Sequence, residues 1–199
     1  MTTARFVPWV RPTSWDGNAV IVRVAGQDVT VPFSRYGPGD VSGIAPQQVR
    51  RRDPAPGSRS MPPNLFPSIE FATPSLPWMV TPGEPDGQGM LRPWLALIVL
   101  PGGPDRLGSV AGALAPVVEV PADQLPPHDQ LALWAHVQLD ADNTAEVALA
   151  TGIARIVAPY ALRPTTDYVA CLVPTFEAGR LAGLGDTVAD PLSVNLAWG

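Results

Sequence analysis

The stretch LRPTTDYVACLVP, Leu162 to Pro174, decides how the rest of the chain is read. Its Leu162-x-Pro164-x-Thr166-x-Tyr168 spacing runs into an apolar segment and fits a tyrosine corner, in which a Tyr hydroxyl ties down the turn before its strand. Val169, Cys171 and Val173 then alternate along that strand. A fibronectin-type sandwich has about 100 residues in about seven evenly spaced strands, whereas this chain has 199 residues. The corner is therefore expected as a local device and not as the signature of the whole fold.

Composition points the same way. The chain holds 25 Pro and 18 Gly, which cut it into segments too short for long helices and suited to short strands and ordered loops. At 46% hydrophobic and 16% charged residues it is ordinary globular material, long enough to bury roughly 70% of its unfolded surface. All 13 basic residues are Arg, which excludes Schiff-base, Walker-type and kinase-type lysines. A net charge of −5 disfavours an extended phosphate-binding surface, so no nucleic acid partner is expected. Cys171 is the single cysteine, placed as a small hydrophobe. No apolar window has signal-peptide or membrane-span length, so we expect cytoplasmic synthesis and no membrane insertion.

Working outward from the corner, IARIVAP (153–159) reads as a strand, and FEAGRLAGLG (176–185) as a short helix stopped by its own glycines. LRPWLALIVL (91–100) is apolar on both strand faces, the pattern of a strand covered on both sides. LALWAHVQL (131–139) alternates as a strand, and AVIVRVAGQDVTVPF (19–33) as a hairpin with a short Gly-containing loop. SIEFA (68–72) and VVEV (117–120) are strand candidates, and GGPDRLGSVAGALAP (102–116) is a candidate Gly/Ala helix. RFVPWVRP (5–12) reads as an extended edge strand or arm. Residues 34–67 lose all periodicity yet carry Tyr36, Val41, Ile44, Val49, Leu65 and Phe66, too many apolar residues for a solvated linker. They are expected to form a long ordered loop, with one helical turn near PQQV, lying over a surface. The expectation is a mainly β or α+β single domain spanning 1–199. It has a central mixed or antiparallel sheet built from 19–33, 91–100, 131–139, 153–158 and 167–173.

Chemical motifs are sparse. The histidines, His128 and His136, are eight residues apart on a loop and a strand, without the one-face spacing of a helical metal pair. His136 reads as a hydrogen-bonded structural residue and His128-Asp129 as a solvated loop pair. No nucleophile elbow occurs, no carboxylate pair is recognisable, and GPGDVSG and PGGPDRLG read as turn chemistry. No catalytic, cofactor or metal residue is assigned. The features that stand out suit protein contact: the basic run Arg50, Arg51 and Arg52, whose forked guanidinium groups fit carboxylates, and the aromatic residues Trp9, Tyr36, Phe66 and Trp78.

RYGPGDVSGI, PNLFPSIEF, LRPWLALIVL, WAHVQL and YVACLVPTFEAGRLAGLG together resemble a family of uncharacterised bacterial proteins. These are encoded in phage-tail-like contractile injection system clusters of the actinobacterial type. The resemblance implies a structural, baseplate or accessory component that meets other particle subunits or copies of itself, in a cytoplasmic or released particle. It transfers no catalytic residues. It also implies either a short family member or the first domain of a longer architecture. Two other readings are open: a recognition module stacking exposed tryptophans on sugars, and a hydrolase using His136 with a nearby carboxylate.

Overall fold

In the computed structural model, residues 19–32, 35–62, 64–139, 147 and 150–198 are described. Among them, strands pair antiparallel in four small sheets, and the protein is mainly β in a single domain. The core forms where two of these sheets face each other. β5 (Leu95–Pro101) pairs with β10 (Tyr168–Pro174), with Leu97 opposite Leu172 and Leu95 opposite Pro174. The second sheet has the order β3 (Val49–Asp53), β4 (Ser68–Phe71), β9 (Ile153–Val157), β8 (Ala135–Gln138). Leu95, Leu97 and Val99 alternate along β5 and cluster with Phe71, Ala135, Ala154 and Ile156 of the four-stranded sheet. Ala96, Ile98 and Leu100, on the opposite face of β5, are buried as well, so the doubly apolar pattern of this strand is realised.

Trp134 Nε1 and both ring nitrogens of His128 are buried without a hydrogen-bond partner among the described residues, but two polar side chains deep in the core are satisfied. Thr175, fully buried, donates from Oγ1 to the Pro93 carbonyl at 2.7 Å, and Trp94 donates from Nε1 to Leu76 O at 2.6 Å. The tyrosine corner is present: Tyr168 Oη accepts from the Arg163 N–H at 2.8 Å, across a turn in which Thr165 has a φ of 53°. Helix α1 (Glu177–Leu184) follows and ends at Gly185, whose φ of 78° needs no Cβ penalty, as the glycine-rich sequence predicts. Beyond it the chain returns over the body: Gly39 N–H donates to Pro191 O at 3.1 Å and Ala197 N–H to Thr175 O at 3.0 Å. Gly37 lies so close to this return that a Cβ would run into the Pro191 carbonyl. The GPGD glycines thus serve a backbone contact as well as the 3-10 turn Pro38–Asp40.

Four expectations are corrected. A single central sheet does not form. Among the described residues β1 (Ala19–Val24) and β2 (Gln27–Pro32) pair only with each other, through an Ala25–Gly26 loop with φ of 50° and 85°. Residues 131–134 are not strand but the end of a 3-10 helix, His128–Trp134, and the strand begins at Ala135. Pro126 and Pro127 lack ladder donors, and three-residue spacing brings Leu131 and Trp134 together onto the space beside Leu95. The described residues of the 34–67 segment include the turn at Pro46–Gln48, but also β3, which pairs with β4. The Gly/Ala segment forms no α-helix, only a 3-10 turn at Pro104–Arg106. Gly102 and Gly112 take φ of 123° and 91°, and β6 (Leu107–Gly108) pairs with β7 (Val117–Val118).

Candidate functional site

The basic run lies on an edge strand. β3 ends the four-stranded sheet, and Arg50, Arg51 and Arg52 are all exposed along it. Register places Arg51 opposite Glu70 and Arg52 opposite Ile69, and the irregularity between Val49 and Arg51 leaves Arg50 as the extra residue of a bulge. Arg51 donates from Nη2 to Asp53 Oδ2 at 2.9 Å. Arg50 and Arg52 make no ion pair among the described residues.

Cross-strand pairing extends this chemistry over the outward face. Arg51, Glu70, Arg155 and His136 stand in one row across β3, β4, β9 and β8. Glu70 is held by Arg155, whose Nε donates to Oε1 at 3.2 Å alongside a second bond from Nη2. The Glu70 side chain is only 12% exposed against 42% for Arg155, so the pair shields its carboxylate and leaves cationic surface outward. At the other edge, His136 is exposed and stands opposite Arg155. Leu133, Val137 and Leu139 are exposed along this side of the sheet.

The aromatic candidates divide. Tyr36 is 69% exposed beside the Gly37 contact, and Phe66 is 44% exposed, meeting Trp134 edge-on at 5.9 Å. Trp78 is half-buried and donates from Nε1 to Leu91 O at 3.0 Å, so its polar handle is used internally. Trp9 lies outside the described residues. None of the four described tryptophans is exposed.

His128 is not solvated as its loop position suggests. It is half-buried and stacks on Trp198 with ring centroids 4.3 Å apart, and Trp198 donates from Nε1 to Pro126 O at 2.9 Å. Burial pushes the His128 pKa below the usual imidazole value; the Trp198 main chain opposes this without a well-formed hydrogen bond, Arg92 adds to it and Asp129 opposes it. Burial likewise raises the Cys171 thiol, which keeps it protonated and unreactive. Among the described residues no group of His, Cys, Asp or Glu is placed to hold a metal ion, and no helix is long and apolar enough to cross a membrane. The space between β5 and β9, lined by Leu95, Leu97, Leu131, Trp134 and Ile156, measures about 10 Å³, room for about one water.

The Glu70–Arg155 pair and the edge placement of the arginines escaped the sequence reading. The available signal was the isolated Glu in SIEFA and the lone Arg in IARIV, each polar amid apolar strand residues. Fold and site define a class: a β-rich body with a cationic sheet edge and an apolar one, and with no substrate-sized cleft in the space beside β5. In comparisons with known proteins, the chain matches no family model, no curated protein and no solved structure.

Proposed function

We propose that this protein is a non-enzymatic assembly subunit or adaptor that acts through protein–protein contacts in a phage-tail-like contractile particle. The observation carrying the contact role is the pair of open strands, β3 and β8, that flank the four-stranded sheet among the described residues. Open strands present unpaired main-chain groups to any neighbouring chain. Both are dressed for contact, β3 with exposed arginines and β8 with Val137, which is 45% exposed.

The particle itself is inferred from the sequence resemblance. The segments that carry the likeness are those that form the packing frame: the Pro38–Asp40 turn, β4, β5, β8, and β10 with α1. Purification of the intact particle from producing cells tests the reading. The chain is expected at a fixed copy number per particle, and a particle fully assembled without it would overturn the assignment.

A further inference from the structure

The two open edges of the sheet differ, and β3 carries the more specific chemistry. We infer that β3 accepts an extended acidic segment of a partner protein as an added fifth strand, with its carboxylates gripped by Arg50 and Arg52. The inference rests on the assembly reading and names the class of partner that such a subunit would meet.

The argument is one of position and charge. Because β3 ends the strand order, its outer main-chain groups face away from β4. Main-chain pairing supplies affinity that is indifferent to sequence, and side chains supply selection. Asp53 already engages Arg51, whereas Arg50 and Arg52 make no ion pair among the described residues. Each guanidinium presents a fork that matches a carboxylate.

Charge on an edge also repels the wrong strand. A second copy would bring its own Arg50–Arg52 run against this one, and like charges directly opposite are unfavourable. The chain carries a net charge of −5, so this edge is a local exception and a poor landing site for a polyphosphate backbone. Arginine at this edge therefore disfavours self-pairing and nucleic acid while leaving an acidic strand as the segment that fits.

Amide NMR of the full chain, titrated with an alternating Glu-Val peptide, a Lys-Val peptide and a short single-stranded oligonucleotide, tests this. The expected result is that the Glu-Val peptide alone shifts and protects the amides of residues 49–53. Binding should weaken about tenfold in the Arg50→Glu/Arg52→Glu protein, and also near 0.5 M salt, where screening extends only a few ångströms. Both side chains are exposed, so the variant should keep the wild-type β4, β5 and β9 resonances as its folding control. Equal binding of both peptides, preference for the oligonucleotide, indifference to the double substitution, or no binding would each overturn the inference. Particle incorporation, scored in parallel, separates the two readings. A chain that enters the particle but ignores the acidic peptide sinks the edge inference alone. A peptide-binding chain absent from the particle sinks the particle assignment alone.

Discussion

Strands β1 and β5 are made of similar residues and meet opposite fates. In β5, Leu95, Leu97, Ile98 and Leu100 are at most 3% exposed, whereas in β1 Ile21 is 68% exposed and Val24 56%. Both strands have a complete antiparallel partner, so hydrogen bonding does not separate them. The difference is what lies across the sheet face. β5 has the four-stranded sheet opposite it, while the hairpin's pairing stays within itself among the described residues. β-branched content makes a ladder, and only a facing layer turns that ladder into a core.

That contrast can be attacked by substitution, and the core should respond most. Phe71→Ala removes a fully buried ring from the cluster and should cost about 3–5 kcal/mol in denaturant unfolding. A near-neutral result would mean that the two sheets do not pack as described. Gly37→Ala pushes a Cβ into the Pro191 carbonyl and should cost roughly 1–3 kcal/mol by the same measurement, because main chain cannot step aside as a side chain can.

Tyr168→Phe deletes the corner hydrogen bond and should cost about 0.5–1.5 kcal/mol, with the secondary structure unchanged by circular dichroism. His128 supplies a pH test. Its folded pKa lies below the unfolded value of about 6.5, so the unfolded chain takes up the proton first. Stability is therefore full above that value and declines as pH falls towards the depressed folded pKa. Urea midpoints should drop in this window for the wild type and drop less in a His128→Phe protein. Ile21→Thr, on the exposed hairpin, should change stability by no more than about 0.5 kcal/mol. A loss there as large as that of Phe71→Ala would erase the distinction between the two regions.

What could be read from sequence follows the same division. β4, β5, β9, β10 and α1 were legible because each carries its own signal: a run of apolar strand residues, or a helix stopped by Gly185. Leu131 and Leu133 misled, since equal hydrophobicity at i and i+2 mimics a strand. In the structure Leu131 is 3% exposed and Leu133 53%, the two sides of a 3-10 turn. β3 was invisible because VRRRD has no apolar alternation, and its strand character comes from pairing with β4. The division into separate sheets was hidden as well, because it depends on partners far apart in the chain. Glu70 and Arg155 are 85 residues apart, and only the β4–β9 pairing brings them together. The basic run was legible as chemistry but not as a place.

The return segment that meets Gly39, Thr175 and Pro126 has a consequence for biosynthesis. Pro191, Ala197 and Trp198 are made well after the stretches they fasten. A growing chain therefore carries Gly39, Pro126 and Thr175 without these partners until residue 198 has left the ribosome. Closure of this body waits on its return segment, and the apolar frame is what a nascent-chain chaperone would hold in the interval.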